Sequence, residues 1–325
     1  MSSRNISSSY DRRVSRAKSF FNQEFINCLL QAHGADKMID AILGDGAVIV
    51  QFSRKTENGF IKAFPDRQYH HVLFEAKLTD YLYDKGLPVP QLFHSPCGDA
   101  VVSVSWESMK IPSIALKQLS GSPINQMNEH NSRLLAAILA NFHLSTALYQ
   151  PKEKSAYADF FIPKAVQTWK TKLKPNDLCY SLVESWLDLW EETKNYFSFS
   201  NPFIIHGDLH AGNILVNDKE IGIIDLSDAR IGFPEEDLGK LLHLHGKLLG
   251  LNFYEFSKEN FLLEYARLAK RLANFHKQLC LTLLFAAYYA LKHAVVPPAF
   301  LRKNICQNIF LARNYLDLLL NELYN

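Results

Sequence analysis

The stretch FIIHGDLHAGNILV, residues 203–216, sets a histidine two positions before an aspartate and an asparagine five positions after it, between two apolar runs. The runs are short and rich in β-branched residues, so they read as strands, with the polar residues between them as a loop held at both ends. NDKE at 217–220 carries turn chemistry and leads into IGIIDLSDA at 221–229, a further apolar run that reaches Asp225. The expectation is a hairpin that holds the His206–Asn213 loop beside Asp225, so that Asp208, Asn213 and Asp225 converge on rigid supports. Hard oxygen ligands of this kind suit Mg2+, which takes one or two carboxylates and completes its shell with water and phosphate oxygens. Phosphoryl transfer needs such parts: one carboxylate orients a hydroxyl and takes its proton, while an asparagine and a second aspartate hold metal against the phosphates.

Upstream, residues 38–64 give three short β-rich runs broken by GDG at 44–46 and TENG at 56–59, the pattern of an antiparallel meander. A helix is expected over 70–84, where Val72, Leu73, Ala76, Leu78 and Leu82 form an apolar stripe. KGLPVP at 85–90 ends it, because each proline removes a backbone donor. DAVVSVSW at 99–106 and SIALKQL at 113–119 complete a five-stranded unit with one helix. Beyond SGSP at 120–123 the reading is helical, with helices at 131–148, 161–172, 178–197, 235–249, 257–291 with a break, and 299–323. The fold class is α+β: an N-terminal extension or helix at 1–37, a small antiparallel lobe at 38–119, and a larger, mainly α lobe at 120–325.

HGDLHAGNIL, followed after a hairpin by IIDLSDARIGFPEEDLG, resembles the catalytic and metal loops of the aminoglycoside phosphotransferase and choline kinase family, small-molecule relatives of the protein kinases. The resemblance spans residues 38–245. It implies a two-lobed protein-kinase-like fold, ATP and Mg2+ as cofactors, and a hydroxyl-bearing small molecule as acceptor. It implies Asp208 as catalytic base, Asn213 and Asp225 as metal ligands, Asp237 as the aspartate that braces the catalytic loop, and His206 as support behind it. It also implies a phosphate-binding lysine on the third strand and a helix glutamate to hold it. Lys62 in GFIKAF and Glu75 in VLFEAKLTDYL have the spacing for a strand-to-helix ion pair. LKQLSGSP at 116–123 matches the family's hinge, where main-chain groups near Lys117 and Leu119 would receive adenine. In LGDGAVIVQF at 43–52, Gly44 and Gly46 either cover the nucleotide phosphates or form a plain hairpin turn. Asp228 and Arg230 either cap the next helix or contact phosphates.

Composition narrows the other classes. The 325 residues are 48% hydrophobic and 21% charged with a formal net charge of +2, which points neither to disorder nor to a nucleic-acid-binding field. The five cysteines lie far apart without a C-x-x-C pair, against a disulfide framework or zinc site and in favour of a reducing cytoplasm. LCLTLLFAAYYAL at 279–291 is shorter than the ~20 residues that cross a bilayer and reads as a buried helix. The first twenty residues are rich in Ser and Arg without an apolar signal core, and read as a mobile or helical arm. His143 and the HLH at 243–245 read as core or surface helix histidines, since no Cys or acid sits at metal-ligand spacing. No P-loop, dinucleotide-binding or G-x-S-x-G element occurs.

Residues 235–325 hold eleven Lys or Arg against eight Asp or Glu, a balance that disfavours polycationic aminoglycosides. A neutral or anionic acceptor such as a sugar or amino alcohol is expected. The alternatives are a saccharide kinase of the lipopolysaccharide type and a Ser/Thr protein kinase, although Asp225 reaches Asp237 in only twelve residues, little room for a peptide-docking segment. A non-catalytic nucleotide-binding module would be expected to have lost Asp208 or a metal ligand.

Overall fold

Alternating apolar residues at 37–63 build the first sheet, and their register decides where Lys62 points. The computed structural model describes residues 14–44, 46–150, 161–199, 201–217, 220–250, 253–296 and 304–324. The first thirteen residues of the N-terminal arm therefore lie outside the described residues. The chain divides into two compact units: the first is built mainly from residues up to Ser120 together with 222–227, the second from 121–149, 161–221 and the residues from Asp228 on.

In the first unit, helix α1 (Gln23–His33) starts at Asn22, whose side chain accepts the Phe25 N–H at 2.9 Å, and ends at Gly34 with φ 63°. Strands β1 (Lys37–Leu43), β2 (Val48–Arg54) and β3 (Glu57–Ala63) form the expected meander, followed by α2 (Tyr69–Asp84), β4 (Leu92–Phe93), β5 (Val102–Trp106) and β6 (Met109–Lys117). The six-stranded sheet runs β1-β2-β3-β6-β4, with β5 also paired to β6. One face packs Val50, Phe52 and Ile61 against Phe25, Ile26 and Leu29 of α1. The other packs Ile114 and Leu116 against Val72 and Ala76 of α2. Lys62, opposite Ile49 and Ile114, takes this second face, because successive strand residues alternate.

The sheet thus has one strand more than the five expected, and the unit has a helix on each face. A two-residue strand such as β4 shows no alternation in sequence, and the apolar stripe of α1 lies within what reads as an N-terminal arm.

The second unit contains β7 (Ser122–Pro123), α3 (Glu129–Thr146), α4 (Phe161–Lys172), α5 (Tyr180–Thr193), β8 (Phe203–Ile205) and β9 (Ile214–Val216). After β10 (Ile221–Ile223) come β11 (Arg230–Gly232), α6 (Pro234–Leu249), α7 (Phe253–Ser257), a π-helical turn at Lys258–Leu262, α8 (Leu263–Leu268), α9 (Phe275–Val295) and α10 (Ile305–Tyr324). β8 pairs with β11 and β7 with β9, both antiparallel. Pro234 opens α6, and Glu236 reaches back to the Phe233 N–H at 3.1 Å. Asp228 is therefore not the cap. Arg230 bonds Glu236 at 2.7 Å in the first turn of that helix.

Helix α9 is buried from Gln278 to Leu291. By length and composition, the segment Leu272–Val295 is apolar enough to cross a membrane, but most of it is covered by the protein itself. Trp186 donates its indole N–H to the Leu284 carbonyl at 2.8 Å, which satisfies it within the core, and His245 Nδ1 meets Ser257 Oγ at 2.8 Å. α6 lies close on α9 at Gly239, where an added Cβ would lie 2.5 Å from Phe285 Cβ and 2.8 Å from the Ala286 nitrogen. One of those neighbours is backbone and cannot turn aside. Gly239→Ala is accordingly expected to lower stability by ~1–3 kcal/mol despite alanine's better helix propensity. Chemical denaturation checks this; a variant as stable as the parent would mean that the helices separate freely.

Candidate active site

β8 delivers His206 into the loop that carries Asp208, and a carboxylate from the first turns of α6 holds that loop. Asp237 accepts the His206 N–H at 2.8 Å and the Gly207 N–H at 2.9 Å, while His143 Nε2 lies 3.1 Å from the same carboxylate. His143 Nδ1 in turn meets the Tyr265 hydroxyl at 2.7 Å. His143, Asp237, His206 and Tyr265 are all buried. Burial disfavours the Asp237 anion, but bonds from His143 and the loop amide outweigh it and hold the carboxyl below its usual range. His143 is a core histidine, as its helical setting implied, and it is also part of this brace.

Gly207 has φ 78°, and an added Cβ would fall 2.0 Å from Arg230 Nη1 and 2.5 Å from the Asp228 carbonyl, so only glycine fits between His206 and Asp208. Beyond it, the Asp208 N–H donates to His206 Nδ1 at 3.2 Å. Asn213 donates its amide to the Asp208 carbonyl at 2.9 Å. His210 Nδ1 accepts the Gly212 N–H at 3.0 Å, closing the turn that carries Asn213.

The Asp208 carboxylate is half-buried and ion-pairs with Lys240; His210 Nε2 lies 3.5 Å from its second oxygen. Burial alone would raise its pKa. Hydrogen bonding from His210 and the charge of Lys240 prevail and hold it well below the usual carboxylate range. Lys240, the ion-pair partner of the candidate base, is the residue at this site that the sequence pattern did not single out. Its signal was present: it follows Asp237 by three residues, and helix neighbours at that spacing share a face.

In the first unit, Lys62 is buried with Nζ 3.2 Å from Glu75 Oε1 and 2.7 Å from Asp225 Oδ1. Burial opposes its charge, but the two carboxylates outweigh burial and keep the ammonium protonated. Arg67 lies 3.8 Å from Glu75 and donates to the Ser227 carbonyl at 2.5 Å, and the Ile223 N–H bonds Pro88 O at 3.0 Å. These bonds draw 222–227 into the first unit, which a boundary at residue 120 does not anticipate. Asp225 adopts φ 66°, a left-handed conformation that non-glycine residues hold at a cost and that clusters at functional sites.

The remaining candidates are arranged as follows. The N–H groups of Gly44 and Gly46 bond Ala47 O and Gly44 O, each at 2.9 Å, so both serve the β1–β2 turn. The Lys117 N–H is taken by Gln91 O at 2.7 Å, and its ammonium pairs with Glu57. Among the described residues the Leu119 N–H has no partner, so main-chain donors at the hinge begin there. Lys62, Glu75 and Asp225 thus come together in the first unit, and Asp208 and Asn213 in the second. Among the described residues no three His, Cys, Asp or Glu side chains form a metal cluster by themselves. Carboxylate and amide oxygens are of the hard type that suits a cation whose shell is finished by phosphates and water.

The model of the phosphotransferase enzyme family matches residues 43–276. Among solved structures, amicoumacin kinase hAmiN, in complex with AMP-PNP, Ca2+ and Ami, is similar with a TM-score of 0.67 and 16% identity, over 94% of this chain and 96% of its own. A microcompartment-associated aminopropanol kinase gives 0.66 and 15%, over 93% and 98%. Spectinomycin phosphotransferase, in complex with ADP and spectinomycin, gives 0.55 and 15%, over 92% and 98%. No curated protein matches the chain. At these identities the structural likeness establishes the fold alone.

Because Asp237 satisfies the buried His206 N–H, the part-buried Gly207 N–H and a buried imidazole, Asp237→Ala leaves them unpaired, at ~1–3 kcal/mol for each buried group. A loss of ~3 kcal/mol or more is expected in urea unfolding. A loss under ~1 kcal/mol would mean that water or a shifted loop replaces the carboxylate.

Proposed function

The chain belongs to the phosphotransferase enzyme family, and from that premise we propose that it moves the γ-phosphate of ATP to a hydroxyl of a small molecule, with Asp208 as general base. The observation that carries the reading is the buried Lys62 held by both Glu75 and Asp225, since a lysine that grips phosphates must itself be fixed. Lys62, rather than the Gly44 and Gly46 amides, donates hydrogen bonds to the phosphates in this reading, and the Leu119 main chain receives the adenine. Asn213 and Asp225 would hold magnesium, which when bound would supply positive charge to the phosphates. The nucleotide analogue and hydroxyl-bearing compounds named for the similar kinases support this choice of reactants.

In the transfer, the acceptor oxygen attacks the γ-phosphorus as the bond from that phosphorus to the bridging oxygen breaks and ADP leaves. The hydroxyl proton passes to Asp208 and then to solvent. With its pKa depressed, Asp208 is a weak base toward an unactivated alcohol. The proton therefore moves late, after bonding to phosphorus has acidified the hydroxyl, in keeping with a loose transition state. Before that moment the carboxylate orients the hydroxyl. Lys240 keeps it ionised and fixed.

Asp208→Asn preserves shape and removes the proton acceptor, so turnover is expected to fall ~10²- to 10⁴-fold while nucleotide affinity persists. ADP-release assays against a panel of hydroxyl-bearing metabolites measure it, and full activity would remove Asp208 from the mechanism. Lys62 and Glu75 form one unit, so the double alanine variant is expected to be little slower than Lys62→Ala alone. A double-mutant cycle on turnover decides: additive losses would break the unit, and parental rates in both single variants would exclude the pair from the site.

A further inference from the structure

Lys240, His243 and Lys247 recur at i, i+3 and i+7 along α6 and so share one face. Tyr289, Lys292 and His293 share a face of α9. The two faces meet. Lys240 Nζ lies 5.3 Å from the Tyr289 ring centroid, the His243 and His293 rings are 5.5 Å apart, and Lys247 Nζ is 3.4 Å from His293 Nδ1. Three lysines and two imidazoles therefore line one strip, which begins at Asp208 through the Lys240 ion pair.

Opposite charge is scarce along it. Asp208 answers Lys240, but among the described residues neither Lys247 nor Lys292 pairs with a carboxylate. Burial first, and then the charge of Lys240, lower the pKa of both lysines; Asp208 and Asp228 act against this at Lys292 without reversing it. His243 is 3% exposed, and neither of its ring nitrogens has a hydrogen-bond partner among the described residues. Crowded, partly desolvated like charges are costly unless an anion joins them. Lys292 remains open to solvent, so an anion can reach it.

We propose that the acceptor alcohol carries an anionic group, a carboxylate or a phosphomonoester, which Lys292 and Lys247 bind while its hydroxyl faces Asp208. The proposal rests on the phosphotransferase reading above and narrows its acceptor. Seven residues of α6 separate Lys240 from Lys247, about 10 Å along the axis, which suits a molecule of several carbons. A polycation would meet repulsion along the whole strip.

The test uses the full chain with Mg-ADP at constant ionic strength. Three acceptor pairs are titrated calorimetrically: glycerol with glycerol 3-phosphate, ribose with ribose 5-phosphate, and 1-amino-2-propanol with 3-hydroxybutyrate. In at least one pair the anion is expected to bind ten-fold or more tightly than its neutral or cationic counterpart. Lys292→Gln should abolish that preference and Lys292→Arg retain it; should Lys292→Gln fail to fold, Lys247→Gln gives the same readout. Equal affinity within every pair, including no measurable binding by any member, overturns the proposal, as does a preference that survives loss of the lysine. The broader reading fails separately: turnover of a neutral or cationic acceptor leaves it standing while this inference falls, whereas absence of nucleotide binding sinks the kinase reading itself.

Discussion

The buried Asp237 carboxylate fixes the geometry of the loop that carries Asp208. A carboxylate removed from water must be fully answered by donors, and here the donors are two consecutive loop amides and one imidazole. Satisfying it determines the path of His206 and Gly207, and that path determines where Asp208 emerges. The same helix start then supplies Lys240 one turn later, so orientation and charge of Asp208 come from a single element. Glu236 and Pro234 hold the helix start, and Gly239 lets the helix lie close on α9. Brace, counter-ion and packing contact fall within seven residues of chain, from Pro234 to Lys240.

Lys62 solves the opposite problem in the first unit. A buried ammonium needs anions around it, and Glu75 and Asp225 supply them from α2 and from the segment after β10. Each carboxylate is secured in turn by a neighbour: Arg67 beside Glu75, and the left-handed backbone at Asp225. Two carboxylates for one lysine leave an acidic surplus, which Arg67 offsets in part. A divalent cation at Asp225 would offset it further, so the charge count of the cluster favours the metal-ligand role proposed for that aspartate.

Much of this was legible in the sequence because the carrying signals are local. HGDLHAGN, the alternating runs at 38–64 and the stripe of α2 each depend on neighbours within a few residues, and their elements form as expected. Lys62 and Glu75 were also within reach, since strand register and helix phase fix both directions. What escaped was non-local or too short. The His143 contact to Asp237 spans 94 positions, which no spacing rule links, and the Lys240 contact to Asp208 spans 32, its one local sign being the three-residue step from Asp237. The loss of the Lys117 N–H to Gln91 follows from β4, which has only two residues. Nor does composition assign 222–227 to the first unit, since that follows from hydrogen bonds to Arg67 and Pro88.

The charge around Asp208 raises a question of balance. In the proposed transfer Lys240 would weaken the base by stabilising its anion, yet the field that does so would also act on the substrate. A hydroxyl placed against Asp208 would lie close to the same ammonium, so negative charge developing on its oxygen would be stabilised as the proton departs. The two effects oppose each other in the base strength of the carboxylate and in the acidity of the alcohol, and a late proton transfer favours the second. By then the oxygen already shares its electrons with phosphorus, and little basicity is demanded of Asp208. A cation beside the base is thus compatible with catalysis in phosphoryl transfer, where the carboxylate orients first and accepts last. In a reaction that begins with proton abstraction from carbon, the same lysine would be a liability, because the base must then act at full strength before any new bond helps it.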